Sequence, residues 1–411
     1  MNIQSEVSYG CHLLRQFALI FAGRVDTKDA GISFCCENLS DIPRIPLCNT
    51  GKESIENFIT MRKKILASPQ VALYKGCAKC SDWRQEKWQN ESLIHYVNLS
   101  MYPSPCDCLC IYCGNYINDA EAFSRAEVTE GYEKAFDSLD YAKNEGLIAS
   151  SVSWQVSVGE ITIHPYKDRI LDLVKNQSAC FFTNCFRFDE KLGKNLAANP
   201  RSGINLSIDS GTPETWRKVK GVDNFKEITD NLASYYKNSS CDGQINLKYI
   251  VLPGINDSLE DYSCVIELMK NCGVKALAVS RDVRYKYNKS KEETGKLICS
   301  TGTLVAMLIK NGLKYNIMSH FSPSECVNIE TFAEKLLRSN GDDWLLPVLV
   351  TEENFNAQAY LDYNEDVAIA FGRDEAAALQ HFRNFGKQEE RLQFNYSKRG
   401  IRNRVLYVDG L

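Results

Sequence analysis

Four cysteines fall within eight positions of the segment YPSPCDCLCIYCGNY, residues 102–116: Cys106, Cys108, Cys110 and Cys113. Cys106, Cys110 and Cys113 have the spacing C-x3-C-x2-C, with Tyr112 directly before the last. Three thiolates held close together suit an iron–sulfur cluster. A zinc site takes four ligands, and Cys108 would supply the fourth; spacing alone leaves both open. A second set lies upstream: Cys11 stands before the apolar QFALIFAG, Cys35 and Cys36 are adjacent, and Cys77 and Cys80 form C-x2-C. Ten of the 17 cysteines lie in the first 113 residues, too clustered to be isolated packing residues. The other seven are scattered singly and read as small buried hydrophobes.

The elements that must position these thiols follow from the apolar pattern. Short apolar runs, each closed by a polar turn, predict strands at 94–101, 152–158, 179–183, 203–209, 244–251 and 274–280. Helical patterns at 120–146, 224–238 and 259–273 lie between them. Six strands alternating with helices predict an α/β fold with a parallel sheet and right-handed crossovers. In such folds chemistry gathers at the C-terminal strand ends, and the four-cysteine segment directly follows the first strand. Residues 1–93 are less periodic and richer in turn residues. Beyond 335 the composition changes to a cysteine-free helical pattern, predicting a third segment over 336–411.

Composition bounds the partners. At 411 residues the chain predicts one large domain with smaller attachments. A net charge of -4 with no basic half argues against nucleic acid as a partner. No apolar run approaches the roughly 18 residues of a membrane span, and the N-terminus lacks the pattern of a signal peptide. A cytoplasmic protein is expected, a compartment in which disulfides rarely persist.

The motif set resembles the radical S-adenosylmethionine (radical SAM) superfamily. That family carries C-x3-C-x-aromatic-C after the first strand of a partial (β/α)6 TIM-like barrel, and CDCLCIYC fits. SVGEITIHP resembles the Gly-Gly-Glu motif after the second strand, with Val158 where the first glycine often stands. FFTNCFRFDEKL looks like the TNG turn after the third, and LSIDSGTPETWRKVKG like the ribose-contacting pattern after the fourth. LKYIVLPGINDS is similar to the fifth-strand segment flanking the adenine. The resemblance covers about residues 94–320. It implies a [4Fe–4S] cluster on Cys106, Cys110 and Cys113, with one iron left open to chelate S-adenosylmethionine. It further implies Gly159 and Glu160 at the methionine amino group, Tyr112 at the adenine, and Ser207 and Asp209 at the ribose. Reductive cleavage of the cofactor then yields a 5′-deoxyadenosyl radical that abstracts hydrogen from substrate, with the electron coming from a donor such as flavodoxin or ferredoxin. Arg281, beside Asp282 at the end of the sixth strand, and Lys248, on the fifth, are the candidate catalytic contacts to substrate. Cys108 is expected to have no ligand role, and His164 a structural one.

The upstream cysteines resemble a SPASM or twitch auxiliary domain of the same superfamily, which here would occupy residues 1–93 and precede the barrel (94–335). The resemblance implies a second, auxiliary [4Fe–4S] cluster on Cys11, one of Cys35 or Cys36, Cys77 and Cys80; a structural zinc on the same thiols is the alternative. The tail resembles a short helical module associated with bacterial glycan machinery, matched by Tyr360, Asp366, His381, Gly386 and Arg391. That association tilts the substrate towards a sugar and makes a peptide the alternative. The net reaction expected is oxidation, epimerisation or rearrangement. A non-catalytic metal-binding scaffold on a degenerate barrel is the reading of another class.

Overall fold

The short apolar runs of the sequence form strands, and the amphipathic segments between them form helices that bury one face of each. The computed structural model describes residues 7–10, 17–21, 31–34, 44–66, 84–87, 93–101, 104–113, 123–282, 290–318, 320–342 and 347–395. Cys11, Cys35, Cys36, Cys77 and Cys80 lie outside the described residues. The chain divides into two units, Met1–Leu206 with Lys220–Asn246, and Ser207–Val219 with Leu247–Leu411.

In the first unit β1 (Val7–Gly10) pairs antiparallel with β5 (Arg84–Lys87). The main sheet is built from β2 (Phe17–Phe21), β3 (Gly31–Ser33), β4 (Ile45–Pro46), β6 (Ile94–Leu99), β7 (Ile148–Val156), β8 (Ser178–Phe182) and β9 (Gly203–Ser207). Their order is β4-β3-β2-β6-β7-β8-β9, parallel from β2 to β9 and antiparallel at β3 and β4. Helices α1 (Gly51–Leu66), α2 (Ala126–Asn144), α3 (Lys167–Leu173), α4 (Glu190–Ala198) and, after α5 (Pro213–Lys220), α6 (Phe225–Asn238) complete it. The two-residue period of a strand buries Val97, Leu99, Trp154, Val156 and Phe181 on one face. Val128, Tyr132, Ala135, Phe136 and Leu139 of α2, three or four apart, form its buried stripe. Each such large side chain contributes about 1.5–3 kcal/mol on full burial. The opposite phase of the same strands carries Tyr96, Asn98, Gln155 and Cys180, with Asn98, Gln155 and Cys180 in register.

In the second unit β10 (Ile245–Val251), β11 (Ala276–Arg281) and β12 (Lys314–Ile317) run parallel. They alternate with α7 (Leu259–Asn271), α8 (Lys291–Lys310) and α9 (Pro323–Ser339). Ser258, Ser290 and Ser322 cap the three helices, the last two through full capping boxes with Glu293 and Glu325. The strands expected from the sequence are all present, and this strand–helix alternation is the α/β order of a partial TIM-like barrel. Two features extend it: β2 joins the sheet beside β6, and β12 is a seventh strand after the six expected. The tail, expected to be wholly helical, also holds a two-stranded sheet, β13 (Pro347–Leu349) with β14 (Leu392–Phe394). Between those strands run α10 (Ala357–Tyr363), α11 (Glu365–Phe371) and α12 (Glu375–His381). They close a small core of Val350, Tyr360, Leu361, Val367, Ala378 and Phe382.

Candidate active site

The loop 104–113 leaves β6 with its four thiols on one short arc. The Cys113 N–H donates to the Cys110 carbonyl (2.9 Å), a turn that brings the last two together. Cys106, Cys110 and Cys113 are half-buried, whereas Cys108 is buried. Donation from the Cys108 thiol, aided by its backbone N–H (3.5 Å from Sγ), holds the Cys106 thiol below its ordinary value. The same contact pushes the Cys108 thiol up. Cys106 is therefore the thiolate-prone member, the form that binds metal. Among the described residues one set of donors lies within 4.8 Å of one another: Cys106, Asp107 and Cys108. It has one donor too few for a structural zinc. Three half-buried thiols on one loop are a donor set that suits an iron–sulfur cluster.

Three segments distant in sequence grip this loop. Gly159, after β7, has φ +80°, and a Cβ there would lie 2.5 Å from the Pro105 carbonyl oxygen and 2.6 Å from the Ser104 carbonyl carbon. Only glycine allows that approach, and it lets the Glu160 N–H donate to the Pro105 carbonyl (2.6 Å). After β8, the Asn184 amide donates to Asp107 Oδ1 (2.6 Å). At the end of α5, the Lys220 carbonyl accepts from Leu109 N–H (2.7 Å) and the Lys220 ammonium donates to the Tyr112 hydroxyl (2.5 Å). Lys220 is 3% exposed, and its ammonium lies 5.1 Å from the Tyr112 ring centroid. Tyr112, expected at an adenine, is thus oriented by Lys220.

Glu160 sits inside this assembly, 1% exposed. Its Oε1 accepts from Thr162 N (2.9 Å), Thr162 Oγ1 (2.7 Å) and Thr183 Oγ1 (2.9 Å), while Oε2 accepts from Asn184 N (2.5 Å). Burial pushes its carboxyl above the ordinary range, against the pull of these donors. The carboxylate expected at an ammonium group is thereby also the tie between the segments after β7 and β8. His164 is buried; its Nδ1 accepts from Tyr166 N (3.2 Å), so Nε2 carries the proton towards the Tyr132 hydroxyl (2.9 Å). Burial lowers its pKa to about 3.

Asn184 and Lys220 lie within FFTNCFRFDEKL and LSIDSGTPETWRKVKG, and neither is marked for a role by the sequence itself. The signal for both was position: each stands at a strand or helix end within a motif-like run.

The other residues singled out from the sequence belong to the second unit. The Ile208 N–H donates to the Lys248 carbonyl (2.9 Å), placing Lys248 opposite the stretch from Ser207 to Asp209. Asp209 is fully buried, with φ +48°, and its Oδ1 accepts from Ile250 N (2.6 Å). Asn256 braces the same turn by donating to the Asp209 and Ile250 carbonyls (2.9 and 2.8 Å). Arg281 is 4% exposed and donates to Glu325 (2.7 Å), a residue of the α9 capping box. Asp209 and Arg281 thus both have polar atoms committed to the fold.

No protein-family model matches the chain, and no curated protein matches it. Among solved structures it is similar to SuiB of Streptococcus suis bound to the precursor peptide SuiA, at 13% identity and a TM-score of 0.39, over 68% of this chain and 57% of that one. It is similar to anSMEcpe with bound AdoMet and a Cp18Cys peptide, at 18% identity and a TM-score of 0.36, over 54% of this chain and 62% of that one. A third is the radical S-adenosylmethionine methyltransferase TsrM of Kitasatospora setae with cobalamin and a [4Fe-4S] cluster, at 16% identity and a TM-score of 0.28, over 36% of this chain and 28% of that one. The chain thus spans less than two thirds of the length of each. At these values the comparisons carry no argument, and any chemistry rests on the residues around loop 104–113. In its ordered motifs the chain resembles the radical SAM enzymes.

Proposed function

We propose that this chain is a radical SAM enzyme whose Cys106, Cys110 and Cys113 hold a [4Fe–4S] cluster, with S-adenosylmethionine bound beside it. One observation carries the reading: the segments read from sequence as cofactor motifs after β7, β8 and β9 converge on the cysteine loop, through Gly159, Asn184 and Lys220. When bound, the cluster and its cosubstrate supply one-electron cleavage of a sulfonium C–S bond and a radical that takes hydrogen from an unactivated C–H. The chain's own residues position and exclude. Cys106 is favoured as thiolate by its Cys108 neighbour, and Glu160 is the carboxyl proposed to meet the amino group. Lys220 holds the Tyr112 ring in one orientation for the adenine face. Ser207 and Asp209 are the proposed ribose contacts, and Lys248 and Arg281 the proposed substrate contacts.

Residues 1–93 are proposed to carry the auxiliary [4Fe–4S] cluster on Cys11, Cys35 or Cys36, Cys77 and Cys80, before a barrel over 94–335 and a helical module over 336–411. The sugar reading rested on the tail, whose matching residues are engaged with one another. Tyr360 pairs with His381 (3.0 Å), Arg391 forks onto Asp366 (2.8 and 2.7 Å), and Gly386 packs against the Tyr360 ring. Those contacts account for the pattern by packing, so the tail speaks for no substrate. A peptide, the class bound in the SuiB and anSMEcpe structures, is put first; oxidation and epimerisation are both open to it.

The test is anaerobic reconstitution followed by reduction in the presence of S-adenosylmethionine. Release of 5′-deoxyadenosine, abolished by Cys106→Ala, supports the reading. A reconstituted protein that binds S-adenosylmethionine and never cleaves it sinks the reading in favour of a scaffold.

A further inference from the structure

Asn184 has more to do than link two loops. The turn Thr183–Asn184–Cys185 is strained, because Cys185 holds φ +58° where a glycine would be relaxed. It is kept there by several bonds. Cys185 N–H donates to Thr183 Oγ1 (3.0 Å), and the Asn231 amide donates to the Cys185 and Phe186 carbonyls (3.0 and 2.9 Å). Thr183 Oγ1 and Asn184 N–H are in turn fixed on Glu160. The side chain of Asn184 is equally determined. Its Oδ1 accepts from Phe186 N (2.8 Å), so its NH2 faces the cysteine loop; the flipped amide would set oxygen against the Asp107 carboxylate. One of its two hydrogens goes to Asp107 Oδ1 (2.6 Å). The other has two sulfurs in reach, with Nδ2 3.3 Å from Cys108 and 3.6 Å from Cys106. Arg187 lies 3.4 Å from the second oxygen of Asp107 and keeps that carboxylate in place.

We infer that Asn184 is a positioning residue that donates an N–H···S hydrogen bond to the Cys106 thiolate and so sets the reduction potential of the cluster held there. The inference rests on the proposed function for the identity of that cluster. Hydrogen bonds to ligating sulfur favour the more negative, reduced state and raise the potential. The same residue donates its backbone N–H to Glu160, the group proposed to meet the amino end of S-adenosylmethionine. Electron uptake and cosubstrate binding therefore share one rigid turn.

The experiment is an EPR-monitored redox titration of the full-length, reconstituted protein, following the cluster signal lost in Cys106→Ala. Wild type, Asn184→Ala and Asn184→Ser are compared at equal iron content. Asn184→Ala is expected to lower the ratio of reduced to oxidised cluster at fixed potential by about tenfold, which is about 59 mV for a one-electron couple. Asn184→Ser, which keeps a short donor, is expected to fall between the two. If Asn184→Ala fails to hold the cluster, Asn184→Ser alone carries the comparison. An unchanged potential in a variant that holds wild-type iron overturns the role of Asn184. Wild-type protein whose iron is indifferent to Cys106, Cys110 and Cys113 overturns the site reading instead.

Discussion

Replacing Gly159 by alanine tests whether the cysteine loop is held by backbone approach. Two effects add. At φ +80° an alanine is strained by roughly 1–2 kcal/mol. Its Cβ would also lie 2.5 Å from the Pro105 carbonyl oxygen, whereas non-bonded carbon contacts settle near 3.5 Å or beyond, so loop or strand end must retreat by about 1 Å. That retreat opens the 2.6 Å hydrogen bond from Glu160 N–H to Pro105, worth about 1 kcal/mol. The total is roughly 2–3 kcal/mol, part of it spent as displacement of Cys106. Gly146→Ala is the control, for Gly146 has φ +68° but nothing within 4 Å of its Cβ, leaving the backbone strain alone. The assay is thermal unfolding of both variants prepared without oxygen, with iron per chain measured on the same samples. Gly159→Ala is expected to melt below Gly146→Ala and to hold less iron. Equal melting with wild-type iron in both would refute the argument that Gly159 sets the loop.

Three further outcomes are expected. Cys106→Ala, Cys110→Ala and Cys113→Ala should each abolish the visible absorbance of the loop cluster, while Cys108→Ala should retain it; loss in Cys108→Ala would make Cys108 a ligand. Iron and sulfide should each be about eight per chain in the reconstituted protein and fall to about four when Cys77 and Cys80 are both replaced; about four before and after would assign those cysteines to zinc or to no metal. His164 should make the fold acid-sensitive. Its folded pKa is about 3 against 6.5 ordinarily, so between those values the unfolded chain takes up a proton that the folded chain refuses, and stability falls as pH falls. By pH 5 the loss is about 2 kcal/mol, and it should shrink in His164→Gln; an unchanged pH dependence in that variant would show that His164 is not its source.

What the sequence revealed and what it hid divide along one physical line. Strands β6 to β11 were legible because each is a short apolar run closed by a polar turn, a local property. Strand β12 was not, because Lys314, Tyr315, Asn316 and Ile317 are all half-buried or exposed and carry no apolar run to find. Cys106, Cys110 and Cys113 stand out in the sequence because their spacing on one loop is also local. Glu160 was legible as a charge near a strand end, but not as a carboxylate saturated by Thr162, Thr183 and Asn184, since nothing in SVGEITIHP announces burial. Lys220 and Asn184 carried no signal beyond position because their partners stand 108 residues away at Tyr112 and 77 away at Asp107. A residue that holds chemistry is chosen for its type and can be recognised by it, whereas a residue that holds the holder is chosen for where the fold delivers it. For that reason the supports of loop 104–113 are the better test of the reading. If the loop were a simple structural turn, a buried lysine, a strained cysteine turn and a glycine approach would each be a cost without a return. Under a cluster site, all three fix the thiols whose spacing the chemistry requires.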